Sequence, residues 1–280
     1  MNLILVSIGN FQEYILDNIA QLLRLNISNI FVITNRQFFT KFEKFENKIK
    51  LIDANELNDS YNYLNKTHLD KKFRQGFWTL TSLRFFYIYA FIQKYNLTDC
   101  IHIENDVLLY YNINLLHDKF NRNYVYIPFD TFKRNIVSIM YIPNSQIFKK
   151  ILDKYDNTKN DMENFINIKF NTGLIHNFPI YPNIFATSDE EKFVSENFET
   201  FGFIFDAAAI GQFLGGVDPR NIPGDTTGFV NETCVIKYNK YKFIWQDNDN
   251  HIKKPFLIIN DITYPIFNLH IHSKNLIKFI

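Results

Sequence analysis

Two segments far apart in the chain carry the residue types that hold divalent cations and phosphates. The first is Cys100-Ile101-His102-Ile103-Glu104-Asn105-Asp106-Val107-Leu108-Leu109-Tyr110. Read as one strand over 100–109, its two-residue period puts His102, Glu104 and Asp106 on one face, so two carboxylates emerge side by side from an apolar strand. Such a pair is repelled and desolvated unless a cation lies between its members. A hard ion, Mn²⁺ or Mg²⁺, partly open to phosphate oxygens, resolves that conflict. The second segment is Asn268-Leu269-His270-Ile271-His272-Ser273-Lys274, whose alternation puts His270, His272 and Lys274 on one face of a strand or turn. Imidazole is a suitable ligand for Mn²⁺, and lysine is a compact charge suited to a diphosphate.

The elements that must position these residues are legible from periodicity. An apolar run over 3–8 closes at Gly9-Asn10, and helical spacing of Ile15, Ile19, Leu22 and Leu23 follows over 14–25. Further strands are expected over 29–34 and 48–53, and a long helix near 78–94 leads into the carboxylate strand. Strands alternating with helices predict a parallel, Rossmann-like sheet. Ligands bind such sheets beyond the carboxyl ends of the strands, where Ile8-Gly9-Asn10, Asn35 and Glu104-Asn105-Asp106 fall. Short strands over 124–128, 136–142, 173–175, 242–245, 256–259 and 267–271, with helices around 146–155 and 162–167, read as a mixed continuation of that sheet.

Arg84 is the only full charge between Arg74 and Lys94, in a helix apolar almost all round, and a buried guanidinium must be paired. Six of the nine glycines crowd between Gly202 and Gly228, marking a long shaped loop region. Within it the run 205–216 reads as a short helix capped by Asp206 and stopped by glycine. Asp206, Asp218, Asp225 and Glu232 offer carboxylates where an acceptor would enter.

The 280 residues suffice for one domain, and Lys+Arg 30 against Asp+Glu 29 leaves a net charge of +1, without the basic field of a nucleic-acid binder. Hydrophobic residues at 46% and aromatics at 17% predict a large aromatic core. Cys100 and Cys234 make neither a disulfide framework nor a metal spacing, which favours a reducing compartment. With no basic leader and no apolar run free of charge, a cytoplasmic protein without a membrane span is expected.

Glu104-Asn105-Asp106 resembles the Asp-x-Asp motif of GT-A glycosyltransferases, with Glu for the first Asp, and the terminal His and Lys segment is similar to that of the glycogenin-like members. The family's intervening Gly and following aromatic are absent here. The resemblance implies a GT-A, mixed and mostly parallel central sheet flanked by helices, in one domain over 1–280. Residues 1–120 would form the nucleotide-binding half and 121–280 the acceptor-binding half. It implies that Glu104 and Asp106 hold the metal with either His270 or His272, and that Lys274 meets the diphosphate. It further implies that Arg84 reaches the donor phosphates or a metal-site carboxylate, with Ile8, Gly9, Asn10, Asn35 and Asn105 on the donor side. Asp161, at the place of the family's Asp-Gln pair, would lie near the donor sugar; an ordinary helix cap explains it equally well.

The function expected from these residues is transfer of a hexose-type sugar from a nucleotide-sugar, with uridine diphosphate commonest in the family, to a hydroxyl of a glycan or other acceptor, with retention. The alternatives are metal-dependent phosphoryl or nucleotidyl transfer, and a non-catalytic module that binds nucleotide or sugar. Against nucleotide-loop chemistry, Ser7-Ile8-Gly9-Asn10 is no Gly-rich pyrophosphate loop, and no Gly-x-x-x-x-Gly-Lys-Ser/Thr sequence occurs.

Overall fold

The opening apolar run forms β1 (Asn2–Ser7), buried on both faces, as a central parallel strand requires. β2 (Ile30–Thr34), β3 (Lys50–Asp53) and β4 (Cys100–Ile103) join it in parallel in the order β3-β2-β1-β4, with Leu5 opposite Val32 and Ile4 opposite His102. This computed structural model describes residues 1–247 and 252–280. β5 (Val107–Leu109) leaves the sheet. β6 (Val125–Thr131), β7 (Arg134–Asn135), β8 (Ile139–Ile142) and β9 (Ile175–Phe178) complete it, with β8 antiparallel to both β4 and β6, and β9 parallel to β6. The result is the expected α/β architecture: a Rossmann-like, mixed and mostly parallel central sheet flanked by helices.

Two expectations are corrected. The strand foreseen over 100–109 breaks at Glu104-Asn105-Asp106, where the chain turns and the Val107 amide donates to the Glu104 carbonyl at 3.1 Å. Strand alternation therefore does not align His102 with the carboxylates. His102 is buried in the sheet, its Nδ1 2.9 Å from the Ile4 carbonyl oxygen. The later strands also do not simply extend the first sheet. β10 (Ile204–Phe205), β11 (Lys242–Asp247), β12 (Lys253–Ile259) and β13 (Ile262–His270) form a second sheet, which takes in β5. Asn260 and Asp261, both at positive φ, make the tight turn between β12 and β13. The far end of β13 pairs antiparallel with β5, setting His270 opposite Val107.

The helix Phe77–Tyr95 is buried along most of its length, which explains its apolar character on nearly every side. Asn144 caps Ser145–Leu152, and a reciprocal box of Asn160 and Glu163 caps Asp161–Thr172. One apolar cluster includes Phe85, Phe86 and Phe91 of the long helix. The other includes Ile15, Ile19 and Leu22 of Ile15–Arg24. Cys100 and Cys234 are buried free thiols. No helix among the described residues is long and apolar enough to cross a membrane.

The short helix Ala209–Gly215 lies so close to the end of β13 that a Cβ on Gly211 would sit 2.0 Å from the His270 carbonyl oxygen. Gly211→Ala must therefore push helix and strand apart. It is expected to lower stability by about 1–3 kcal/mol, read from denaturant unfolding, and to displace His270.

Candidate metal and nucleotide site

The turn bearing the carboxylates is fixed by buried amides. Asn18, on the inner face of Ile15–Arg24, donates its Nδ2 to the carbonyls of Asn105 and Val107, each at 3.0 Å. Asn105 in turn donates to the Val6 carbonyl at 2.9 Å and to Gln12 Oε1 at 2.7 Å. On the other side, the Ile271 amide donates to the Asp106 carbonyl at 2.8 Å. The two chemistry-bearing segments of the sequence are thus joined through backbone.

Glu104, Asp106 and His270 each offer one ligand atom, and these atoms lie within 4.8 Å of one another. His270 Nε2 is 3.0 Å from Glu104 Oε2 and 3.3 Å from Asp106 Oδ2. Its other nitrogen, Nδ1, is 2.8 Å from the Ala207 carbonyl oxygen. A carbonyl only accepts, so Nδ1 carries a proton and Nε2 can offer its lone pair to a metal, the usual arrangement of a ligating histidine. Two carboxylates and one imidazole thus fit a divalent ion such as Mn²⁺ or Mg²⁺. His272 stands outside the triad: its ring lies against His270, centroids 4.1 Å apart, and its buried Nε2 has no partner among the described residues.

The charges are strongly coupled. Burial works against an imidazolium at His270, but Asp106 and Glu104 outweigh it and raise the pKa to about 10. Burial likewise works against the Glu104 carboxylate, yet Arg84 and then His270 bring it to about 2. For Asp106, Lys274 and His270 overcome burial and hold the carboxyl well below its ordinary value. His272 shifts the other way: burial, His270 and Lys274 keep it neutral.

Arg84 pairs with Glu104 and lies 3.2 Å from Asp161 Oδ2, so of the two roles foreseen for it the structure displays the carboxylate contact. Asp161 is not the helix cap, a role that Asn160 fills; its own carboxylate is buried against Arg84. Lys274, at φ +63°, pairs with Asp106 and keeps a quarter of its side chain exposed.

These groups line one cleft of about 620 Å³, to which both halves of the chain contribute. Ile8, Asn10, Asn105, Asp161 and Asp218 line it, as do the triad, Arg84, His272 and Lys274. Gly9 and Asn35 do not; Asn35 Oδ1 accepts from the Gly9 amide at 2.8 Å and so shapes the end of β1. Asp206 is corrected as an acceptor contact. It is buried outside the cleft, its carboxylate taken by the amides of Ile210, Gly211 and His270 at 2.8–3.0 Å; Ala208 occupies the cap position of Ala209–Gly215, yet Asp206 satisfies two amides of its first turn, the role expected of a cap. Glu232 is exposed and Asp225 holds its own turn through Thr227; neither lines the cleft. Sequence reasoning missed Tyr14, Trp78, Arg134, Gln212 and Arg220, which also line it. Their signal was weak, because aromatic and long polar side chains are common in a chain of this composition.

Fold and site together define the class: a Rossmann-like α/β protein in which a turn after a central strand meets a distant histidine and two cationic side chains over a cleft. No family model matches the chain, and no curated protein does. Among solved structures, an active-site variant of the galactosyltransferase LgtC matches at a TM-score of 0.46 and 12% identity, covering 72% of this chain and 83% of that one. The glycosyltransferase GlyE of Streptococcus pneumoniae TIGR4 matches at 0.41 and 13%, over 63% of this chain but only 45% of its own. A putative glucose-1-phosphate thymidylyltransferase from Bacillus anthracis matches at 0.38 and 8%, over 63% and 85%. With likeness this low, the functional reading rests on the chain's own site.

A metal ion bound by this triad would have to displace the proton from His270 Nε2. Apparent Mn²⁺ affinity is therefore expected to rise with pH, by roughly up to tenfold per unit between about pH 6 and 9, with calorimetry in two buffers detecting the released proton. The sign for the metal-free fold is opposite. With a pKa raised from 6.5 to about 10, His270 contributes its stability fully below pH 6.5 and loses it as pH rises through about 10.

Proposed function

We propose that this chain is a metal-dependent glycosyltransferase that moves a hexose-type sugar from a nucleoside diphosphate sugar to a hydroxyl of a glycan or other acceptor, with retention. The observation that carries this reading is the convergence of Glu104, Asp106 and a His270 whose Nδ1 is committed to the Ala207 carbonyl, with Lys274 and Arg84 alongside, in one cleft beside the parallel strands. These three residues would hold Mn²⁺ or Mg²⁺, which when bound supplies Lewis-acid charge to a diphosphate. Uridine diphosphate is the donor implied by the GT-A resemblance, and the reduced cysteines suit a cytoplasmic setting.

The protein's own groups divide the remaining work. Lys274, free to leave Asp106, places its ammonium where negative charge grows on the departing phosphate. Arg84 holds Glu104 and Asp161 in fixed positions, and Asp161 can accept from hydroxyls of the donor sugar. Ile8, Asn10 and Asn105, which line the cleft, would contact the nucleotide, and Asp218, paired with Arg220 at 2.6 Å, would meet the acceptor. Each carboxylate lining the cleft among the described residues is already paired with a cation. An inverting enzyme needs a free carboxylate base near the acceptor hydroxyl, whereas in a retaining one the departing phosphate can take that proton, so this pairing supports retention.

The test is product analysis over a panel of nucleotide-sugars with Mn²⁺. Release of nucleoside diphosphate supports glycosyl transfer, pyrophosphate would indicate nucleotidyl transfer, and nucleotide binding without turnover of any donor would indicate a binding module. Asp106→Ala should abolish metal-dependent turnover. His270→Ala should weaken metal binding by roughly 10–100-fold, more than His272→Ala does. Lys274→Ala should lower kcat by about 10²-fold with a smaller effect on KM.

A further inference from the structure

One corner of the cleft offers hydrogen-bond donors without matching acceptors. Arg134 lines the cleft, and its guanidinium is held from behind by Asp130, whose buried carboxylate lies 3.4 Å from Nε. That contact is electrostatic only, since neither carboxylate oxygen of Asp130 has a hydrogen-bond partner among the described residues. Arg134 Nη1 donates to Asn231 Oδ1 at 3.2 Å, and Nη2 has no partner among the described residues.

The orientation of the next two amides follows from obligate donors. Asn231 Oδ1 also accepts from the Thr233 amide at 3.1 Å, and a backbone N–H can only donate. Asn231 Nδ2 must then be the atom that faces Gln212, and it donates to Gln212 Oε1 at 2.8 Å. Gln212, which also lines the cleft, is left with its amide nitrogen as the uncommitted group. A neutral sugar hydroxyl both gives and accepts a proton, whereas the groups left uncommitted on Arg134 and Gln212, which are linked through Asn231, only give. A planar guanidinium fork beside an amide N–H₂ matches a group that only accepts and is itself planar, a carboxylate.

We infer that Arg134 and Gln212 form a subsite for the carboxylate of an acidic sugar, a uronic or sialic acid residue of the acceptor. The inference rests on the glycosyltransferase reading only in calling that sugar the acceptor. Asp130 and Asn231 are positioning residues, aiming the donors without touching the ligand. Gln212 comes from the glycine-rich stretch between Gly202 and Gly228 and Asn231 follows just after it, which gives that region a role in choosing the acceptor.

The test uses the full chain loaded with Mn²⁺ and uridine diphosphate, and reads direct binding by ligand-observed NMR. Probes are pairs matched in ring and differing in charge: glucuronate and glucose, galacturonate and galactose, N-acetylneuraminate and its methyl ester. At least one acid should bind tenfold or more tighter than its neutral partner, and Arg134→Gln should bring it to the neutral level. If Arg134→Gln fails to fold because Asp130 is left unpaired, the double variant Asp130→Asn/Arg134→Gln removes both charges and should give the same loss. Equal binding within every pair, or a preference that survives the loss of Arg134, overturns the subsite. Because the readout needs no turnover, charge-selective binding without transfer from any donor would sink the proposed activity alone, and charge-blind binding with active transfer would sink this inference alone.

Discussion

Two carboxylates on one turn, Asp106 buried and Glu104 largely so, are the constraint to which the rest of the site responds. Glu104 and Asp106 could not both stay ionised there unaided, because burial and mutual repulsion oppose it. The protein surrounds them with Arg84, His270 and Lys274, and their pKa values fall as a result. In the ligand-free molecule the charged imidazole and ammonium stand where a divalent cation would supply the same compensation. A divalent ion bound there would replace the His270 proton and take over compensation that Lys274 now supplies to Asp106.

Holding that arrangement takes more than the charged groups. Asn18 and Asn105 stitch the turn to β1 and the first helix, and Asp206 gathers three amides from β13 and the helix beside it. Buried polar side chains committed to backbone in this way are costly to leave unpaired, so they fix geometry more firmly than apolar packing alone. Gly211 permits the close approach of helix and strand that the Asp206 tie demands. The histidine is thereby held in one orientation, with its Nδ1 proton on Ala207 and Nε2 toward the carboxylates.

The cleft is asymmetric in its chemistry. Near the turn, cations and carboxylates nearly balance before a ligand arrives, and a metal would tip the balance positive, as a diphosphate requires. On the side served by Arg134 and Gln212 the uncommitted groups are donors held in place by Asp130 and Asn231. Under the proposed reading, a diphosphate and an acidic acceptor would meet different devices: compensated point charges for one, and a planar guanidinium with an amide for the other.

Much of the fold follows from local pattern. The continuous apolar run of β1 and the helical spacing of Ile15, Ile19 and Leu22 specify a strand and a helix because burial depends on periodicity, which is a property of neighbouring residues. The sequence by itself also determined which residue types could bind metal and phosphate, since carboxylate, imidazole and ammonium chemistry belongs to the side chain wherever it lies. Tertiary structure alone decided which of them meet. Spacing could not choose between His270 and His272; the pairing of β5 with β13 chose, by setting His270 opposite Val107, next to Asp106. The break after Ile103, the tying of Asp206 by amides from two elements and the place of Arg134 on the cleft were hidden for the same reason. Each depends on contacts between segments far apart in the chain, which no local periodicity records.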